Sequence, residues 1–382
     1  MKKLVSVCLG IMLFLSSVAI SNADEKINIS RVSGWDRYET TVNANKKYMN
    51  SANGNLAVIA SGNDFRTALY GSYMASSLKV PYFVNPKHGV RSDILNELKR
   101  LNVKRVYIMG NYGVLDKSVD NTLKSKGIKV ERFYDIRIKE DNKYSTFFII
   151  EQINGLLFKE YNNSLVGNHS ILINQNSYPD VLSVVPFASE NMRKNAYYLT
   201  DYRYENRSVV EPIHIIGGKK TIPDYGMDNR ICGSNRYKTS VEIAKAYETV
   251  FNKRVNTVVL VNGEDYPDAL SSSLVATQNN GVVLLTQPNR LNEDTANYIK
   301  NKDIKNVIIV GGEKSVSKNV ENELKKLKVN EETIKDNNSS YEVNASKFDR
   351  NGIPMDILGE LDLSNVEYSV DFDKDYDLDG FR

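Results

Sequence analysis

The sequence predicts an α/β protein built from three similar modules, each containing a parallel sheet. Short runs rich in β-branched residues alternate with longer stretches of helical periodicity, which is the pattern of strands and crossover helices. The same order of signals also recurs along the chain. The phrase RVSGWDRYETT at residues 31–41 returns as RICGSNRYKTS at residues 230–240, 199 positions later. The chain therefore repeats one structural unit.

Further phrases keep nearly the same offset. ASGNDFRTAL at 60–69 corresponds to VNGEDYPDAL at 261–270, and VKRVYIMGNYGVLDKSVDNTL at 103–123 corresponds to IKNVIIVGGEKSVSKNVENEL at 304–324. An offset of two units predicts a third copy between them. The divergent phrases of this middle copy are DNKYST at 141–146, INQNSYPDVL at 173–182 and IHIIGGKK at 213–220.

The elements of the first module follow in a regular order. Apolar runs at 56–60 and 105–109 predict strands, and the spacing of apolar residues predicts helices over 66–78, 93–101 and 117–126. Right-handed crossovers then place the loops after the strands along one edge of the sheet. The glycines in these loops point to that edge as a site, although a glycine after a strand often marks only a tight turn.

A helix is predicted to begin with the Arg-Tyr phrase and to run to about Asn50. Asp36 with Glu39 forms a capping box, and Asn235 takes the place of the cap in the third module. Arg37 then falls in the first turn, where the helix dipole disfavours a cation.

An anion is therefore expected beside this arginine and its counterpart Arg236. One candidate is Asp268 or Asp180, from the same or a neighbouring module. The other is an external anion such as phosphate, which is favoured but not settled by Thr67, the residue that replaces this aspartate in the first module.

Charge and the N-terminal leader indicate where the protein acts. Lys2 and Lys3, an apolar run and Ser21-Asn22-Ala23 predict a signal peptide over residues 1–23, and hence secretion. Residues 331–382 hold 14 acidic and 5 basic residues, so with the leader removed the formal charge of +3 leaves about +10 on residues 24–330. A basic body suits an anionic partner, although scattered surface charge would count the same.

The order of RVSGWDRYETT, SGNDFRTAL and VYIMG…GVLDKSVDNTL, repeated behind a signal peptide, resembles the type 2 cell-wall-binding repeat (CWB2) of clostridial surface proteins. The resemblance implies three Toprim-like modules in a pseudo-threefold arrangement that anchor the protein non-covalently to an anionic polysaccharide of a Gram-positive cell wall. Surface-layer proteins are further candidate partners, and neither nucleic acid nor a membrane span of the mature chain is expected. The organisation that follows is a signal peptide at 1–23, modules at 28–130, 131–229 and 230–330, and an acidic tail at 331–382.

The resemblance also nominates ligand-binding residues. The Arg-Tyr-x-Thr positions fall on Arg37, Tyr38 and Thr40 in the first module, on Arg236, Tyr237 and Thr239 in the third, and on Lys143, Tyr144 and Thr146 in the middle one. Arg31 and Arg230 are second choices. The middle site is in question because the preceding RFYDIRIKED is longer and has no Arg-x-x-Gly lead-in.

Two other functions compete with wall anchoring: a surface adhesin or protein-interaction module, and a wall-modifying enzyme such as an amidase. The three histidines are not spaced as metal ligands, and Cys232, the only cysteine after the leader, has Ser33 at its place in the first module. No enzyme and no cofactor are therefore expected. The tail phrase DFDKDYDLDG does place Asp375, Asp377 and Asp379 in the first half of a calcium loop, but an unstructured acidic tail explains it equally well.

Overall fold

The structure is a computed structural model, and it describes residues 26–140, 143–161, 169–204, 211–226 and 229–327. The signal peptide predicted at 1–23 and the acidic tail at 331–382 lie outside these residues. The calcium site predicted at Asp375, Asp377 and Asp379 lies in that tail and stays a prediction from the sequence.

Strands and helices alternate through the described chain. The strands are β1 (Asn28–Val32), β2 (Leu56–Ser61), β3 (Tyr82–Asn85), β4 (Arg105–Met109), β5 (Lys129–Phe133), β6 (Ile136–Glu140), β7 (Lys143–Phe147), β8 (His169–Ile173), β9 (Tyr198–Asp201), β10 (Glu211–Ile216), β11 (Arg230–Ile231), β12 (Thr257–Asn262), β13 (Val282–Thr286) and β14 (Asn306–Val310).

The helices are α1 (Arg37–Tyr48), α2 (Phe65–Leu78), α3 (Ser92–Arg100), α4 (Lys117–Ser125), α5 (Ile149–Glu160), α6 (Tyr178–Asn195), α7 (Arg236–Phe251), α8 (Ser272–Gln278), α9 (Glu293–Asn301) and α10 (Lys318–Lys326). Short 3₁₀ helices occupy Asn53–Asn55 and Pro267–Ser271. The strands and helices predicted for the first module are all present, with ends that differ by at most two residues.

The strands form three four-stranded sheets with the same order, and every pairing within them is parallel. The orders are β3-β2-β4-β5, β9-β8-β10-β11 and β13-β12-β14-β1. All six residues of β2 and of β12 are buried, as expected for strands covered by helices on both faces. The predicted α/β class with parallel sheets is confirmed.

Each sheet takes one edge strand from the beginning of the next repeat. β5 leads into the middle repeat and pairs with β4, and β11 leads into the third repeat and pairs with β10. β1 opens the chain and pairs with β14 from Asn28 opposite Asn306 to Val32 opposite Val310. The first strand of the chain therefore completes its last sheet. Each sheet thus contains three strands of one sequence repeat and one strand of another repeat.

The middle repeat begins differently from its neighbours. β6 and β7 form an antiparallel hairpin, and the helix that corresponds to α1 begins only afterwards, at Ile149. The predicted equivalence of residues 141–146 with the Arg-Tyr-x-Thr phrase is therefore wrong. Lys143, Tyr144 and Thr146 belong to β7, because β-branched and aromatic residues alternate with polar ones along this hairpin and favour strands over a helix start.

His214 on β10 gives the protein a pH dependence that can be measured. Its ring lies 5.5 Å from that of Phe187 on α6, and burial lowers its pKa to about 4. An unfolded histidine has a pKa near 6.5, so between that pH and about 4 the unfolded chain binds a proton that the folded chain does not. Stability is therefore expected to fall as the pH drops through this window, by at most about 3 kcal/mol.

Urea denaturation of the wild type and of His214→Gln, repeated between pH 7 and pH 4, isolates this contribution in the difference of the two curves. The variant should lose the dependence, because glutamine carries no charge in either state. An identical pH profile for both proteins would contradict the assignment to His214.

Candidate functional site

Three equivalent loops meet where the repeats join. Each follows the second strand in the order of its sheet and carries an aromatic residue where the next helix starts: Phe65 and Tyr178 are the first residues of α2 and α6, and Tyr266 immediately precedes the 3₁₀ helix Pro267–Ser271. The ring centroids of Phe65 and Tyr266 are 4.9 Å apart, those of Tyr178 and Tyr266 are 5.6 Å apart, and those of Phe65 and Tyr178 are 6.1 Å apart. These three half-buried rings form an aromatic triangle to which every repeat contributes one member.

Two arginines flank the aromatic triangle. Nη1 of Arg37 donates to the carbonyl oxygen of Gly62 over 2.5 Å, and Nη1 of Arg236 donates to that of Gly263 over the same distance. Nη1 of Arg236 also reaches the hydroxyl of Tyr178 at 2.9 Å, and the guanidinium lies 5.6 Å from the centre of that ring. Among the described residues these are the only partners of the two guanidinium groups, so most of their N–H donors remain available.

The carboxylate near each arginine comes from another repeat. Asp268 of the third repeat lies near Arg37 of the first, and Asp180 of the middle repeat lies near Arg236 of the third. Burial raises the pKa of Asp268, and the charge of Arg37 opposes the rise. Burial likewise raises the pKa of Asp180, and there the charge of Arg236 opposes it. A carboxylate of a neighbouring repeat, as the sequence predicted, thus lies near both arginines, and among the described residues it forms no ion pair with either guanidinium.

Thr67 consequently carries no argument for an external anion. Arg37 lies near Asp268 of the third repeat, so the absence of an aspartate in the first repeat does not affect it. By the same order, the helix start of the middle repeat would lie near Thr67 of the first repeat. The first position of that helix holds Ile149 instead of arginine. The repeat that lacks the aspartate is therefore followed by the one that lacks the arginine.

The junction of the first and middle repeats uses a different ion pair. Nη1 of Arg66 lies 2.6 Å from Oδ2 of Asp135, and Oδ1 of Asp135 accepts from the backbone N–H of Ile149 at 2.9 Å. Asp135 thus both caps α5 and neutralises the charge of Arg66. At the same junction the ring of Phe148 stacks on that of Tyr204, with ring centroids 3.6 Å apart.

Tyr38 and Tyr237 occupy the space that two glycines leave open. A Cβ atom on Gly62 would overlap the ring of Tyr38, and one on Gly263 would lie 2.9 Å from Cε1 of Tyr237. The hydroxyl of Tyr237 donates to Oε1 of Glu264 over 3.2 Å, and burial together with this carboxylate raises its pKa to about 12. The two glycines therefore admit the tyrosine rings between the helix and the loop.

The threonines of the phrase are buried and hold the loop before the helix. Oγ1 of Thr40 accepts from the N–H of Gly34 at 2.9 Å, and Oγ1 of Thr239 accepts from that of Gly233 at 3.0 Å. Asp36 accepts from the N–H of Glu39 as the capping-box prediction requires. These contacts fix the path by which the loop reaches the arginine.

Arg31 and Arg230, the second choices from the sequence, join adjacent strands. Nη1 of Arg31 donates to the carbonyl of Gly311 at 2.7 Å, and that of Arg230 to the carbonyl of Gly217 at 2.7 Å. The middle repeat has the same contact, which the sequence analysis missed: Nη1 of Arg132 donates to Gly110 at 2.8 Å. All three arginines thus connect the edge strand of a sheet to the loop that follows the neighbouring strand.

Trp35 was also missed by the sequence analysis. It is 98 % exposed, although its backbone N–H is fixed by Oε2 of Glu39 at 2.8 Å. Beside it, Asp36 pairs with Arg91 at 2.6 Å, and the guanidinium of Arg91 lies 5.4 Å from the ring centre of Tyr38. The signal was available, since this is the only tryptophan of the chain and it stands inside the repeated phrase.

The part of the chain that the structure describes contains no cluster of three or more His, Cys, Asp or Glu side chains suited to a metal ion. Within the same residues, no helix combines the length and the apolar character that crossing a bilayer requires.

Comparison with known families and proteins identifies related chains. The model of cell wall binding domain 2 (CWB2) matches residues 31–120 and 230–321. The two matched segments are the repeats that contain the Arg-Tyr-x-Thr phrase, while the divergent middle repeat lies between them.

Among curated proteins, N-acetylmuramoyl-L-alanine amidase LytC of Bacillus subtilis is 26% identical over 345 residues, which are 86% of this chain and 64% of the relative. The Amidase enhancer of the same organism is 36% identical over 107 residues, 28% of this chain and 15% of the relative. The chain therefore spans less than two thirds of the length of either relative.

Two solved structures from Clostridium difficile share the fold. Cwp6 is similar with a TM-score of 0.64 at 17% identity over 80% of this chain, and Cwp8 with a TM-score of 0.61 at 17% identity over 78%. The chain covers 48% of the first and 51% of the second, so it corresponds to about half of each.

Proposed function

Because residues 31–120 and 230–321 match cell wall binding domain 2 (CWB2) and the chain shares the fold of Cwp6 and Cwp8, we propose that it anchors itself to the Gram-positive cell wall by binding an anionic wall polysaccharide. The attachment is non-covalent and the protein acts at the cell surface after secretion. The proposed ligand contacts are Arg37 and Arg236, with Tyr38 and Tyr237 beside them. Thr40 and Thr239 position the loops, and Arg31 and Arg230 are weaker candidates.

The observation that supports this proposal most directly is the placement of the two arginines at the edge of the aromatic triangle. A guanidinium group has five N–H donors in a planar fork that matches phosphate and carboxylate oxygens. In both Arg37 and Arg236, Nη1 forms hydrogen bonds within the protein. These bonds fix the orientation of the guanidinium and leave its other N–H donors for a ligand. The half-buried tyrosine and phenylalanine rings nearby offer apolar faces to sugar rings.

The energetics favour a polymer over a small ligand. One exposed ionic contact contributes about 0.2–1 kcal/mol, which is too little for retention by itself. Several contacts on one repeating chain gain affinity through effective concentration, by about two to four orders of magnitude. The positive charge of residues 24–330 adds attraction at longer range, so retention should weaken as salt is raised.

The repeats themselves are proposed to be non-catalytic. The alignment with LytC covers repeats of a binding domain, and 36% of that amidase has no counterpart in this chain. Amidase activity and adhesion to surface-layer or other proteins are the alternatives, and both are outcomes that the following experiment separates from polymer binding.

Replacement of both arginines is expected to reduce wall retention about tenfold, because two exposed charged contacts of about 0.7 kcal/mol each, together about 1.4 kcal/mol, are lost. The measurement is co-sedimentation of residues 24–330 with purified Gram-positive cell walls, before and after extraction of the anionic polymer with hydrofluoric acid. The variant is Arg37→Gln/Arg236→Gln.

A matched control keeps the same net charge. Arg105→Gln/Arg254→Gln removes two exposed arginines that precede or begin strands, at the edge of the sheets opposite the loops, and should retain wild-type binding. Circular dichroism establishes that both variants are folded. Undiminished retention of a folded Arg37→Gln/Arg236→Gln protein would exclude these residues as contacts, and binding that survives extraction would indicate peptidoglycan or a protein partner. Release of wall fragments by the wild type would indicate an enzyme.

Trp35 supplies a second readout on the same samples. As the only tryptophan, and one that is 98 % exposed, it reports whether ligand covers the loop beside Arg37. Addition of the released polymer should shift its emission to shorter wavelength in the wild type and not in Arg37→Gln/Arg236→Gln.

A further inference from the structure

A second pocket lies at the other end of the helices that carry the aromatic triangle. α2 and α6 each begin at an aromatic residue of the triangle, and the pocket is lined by residues at or near their C-terminal ends. A helix of 14 residues such as α2 is about 21 Å long, so this pocket and the proposed polymer site are well separated. Its volume is about 330 Å³.

All three repeats contribute to this pocket, and its lining is strongly cationic. The first repeat supplies Lys79, the middle one supplies Arg193 and Lys194, and the third supplies Lys253. Glu190 is the one carboxylate of the lining. Four cations against one anion leave a net charge of about +3 around a single cavity, which is the arrangement that attracts a multiply charged anion.

Internal contacts account for only part of this charge. Glu190 pairs with Lys253 at 2.8 Å and with Lys194 at 3.1 Å. Nη1 of Arg193 donates to the carbonyl of Ser76 at 2.7 Å, which satisfies the end of α2. Lys79 forms no ion pair with any described residue, and Oγ1 of Thr277 in the same lining is buried without a hydrogen-bond partner.

The cations also act on one another. Burial lowers the pKa of the Lys79 ammonium and the charge of Arg193 lowers it further, while the carboxylate of Glu190 opposes the shift and Lys253 adds to it. Burial lowers the pKa of Arg193 as well. Lys79 caps α2 in a left-handed conformation with φ of 55°, where glycine is usual, and the equivalent ends of the neighbouring helices carry Ala196 and Asn280. The unpaired charge therefore belongs to the first repeat alone.

We propose that this pocket is an anion site that binds a phosphate group at the junction of the three repeats, held by Lys79, Arg193 and Lys194 with Lys253 of the third repeat beside them. A bound phosphate would relieve the mutual repulsion of the lysines and connect the three repeats through one ligand. The inference does not depend on wall anchoring, because inorganic phosphate and phosphate carried on a wall polymer share the chemistry that the pocket recognises.

The test is thermal unfolding of residues 24–330 in chloride buffer of constant ionic strength, with inorganic phosphate or pyrophosphate replacing chloride. A ligand that binds only the folded state raises Tm, so we expect a rise of a few degrees for the wild type at millimolar anion. Lys79→Gln, which removes the charge and keeps a polar side chain, should lose at least half of this rise. Lys124→Gln, an exposed lysine in the last turn of α4, should keep all of it.

Lys194→Gln serves as a second pocket variant if Lys79→Gln does not fold. Equal rises in all proteins, or none in the wild type, would overturn the proposal. If polymer released from cell walls protects the wild type as pyrophosphate does, the ligand is the phosphate of that polymer; if it does not, the ligand is a free anion. Retention on cell walls is measured separately on Lys79→Gln, so a failure of the pocket is distinguishable from a failure of wall binding.

Discussion

Deletion of residues 24–33 is expected to destabilise the third sheet strongly, although this segment stands at the opposite end of the sequence. β1 pairs with β14 over five residues, and the side chain of Val32 on β1 is buried. Its removal exposes the N–H and C=O groups of β14 as a free edge and takes away the contact from Arg31 to Gly311. The free energy of unfolding should therefore fall by a large part of the roughly 5–15 kcal/mol that is typical of a domain. Urea denaturation measures it directly.

Relocation of the same strand should restore most of the stability. In the first repeat β4, α4 and β5 follow one another, with three residues between Ser125 and Lys129. A circular permutant that places residues 27–33 three residues after Lys326, the end of α10, reproduces this connection for β14, α10 and β1. If the permutant were as unstable as the deletion, the stability would depend on the order of the chain rather than on the pairing of β1 with β14.

Local signals explain how much of this architecture could be predicted from the sequence. The helices of the first repeat and its strands β2 and β4 were predicted to within two residues, because each has a clear hydrophobic period and, at Asp36, a capping side chain. The strands β1, β3 and β5 were not predicted. The hairpin of β6 and β7 was missed, because an insertion before a helix shifts the repeat without changing its composition. Lys143 was consequently placed in a helix although it belongs to a strand.

Relations between repeats could not be read from the sequence. The approach of Arg37 to Asp268, and of Arg236 to Asp180, depends on which repeat packs against which, and no local pattern carries that information. Thr67 therefore indicated an external anion when the sequence was considered alone, and the arrangement of the repeats removes that indication. Trp35 was missed for another reason, since an exposed aromatic residue has no periodic signature.

Replacement of Arg132 by methionine is expected to cost about 3–5 kcal/mol, because it leaves the carboxylate of Asp120 buried without its counterion. The side chains of Arg132 and Asp120 are only 8% and 6% exposed, and they form a direct ion pair. Nη1 of Arg132 also donates to Gly110, and its guanidinium lies 4.3 Å from the centre of the Tyr112 ring. The equivalent Arg230 is the matched control: it donates to the carbonyls of Gly217 and Pro223 and pairs with no carboxylate among the described residues. Arg230→Met should therefore cost about 1–2 kcal/mol.

The double variant Arg132→Met/Asp120→Leu separates the two possible origins of this loss. If the cost of Arg132→Met comes from the stranded charge of Asp120, replacing that charge by an apolar side chain should recover more than half of the lost stability, since well-packed apolar residues often replace buried ion pairs at little cost. Urea denaturation of the wild type, both single variants and the double variant at pH 7 gives the coupling energy. If the losses of the two single variants simply add up in the double variant, the ion pair contributes little. Arg132 would then stabilise the pairing of β5 with the sheet through its hydrogen bond to Gly110 and its packing on Tyr112.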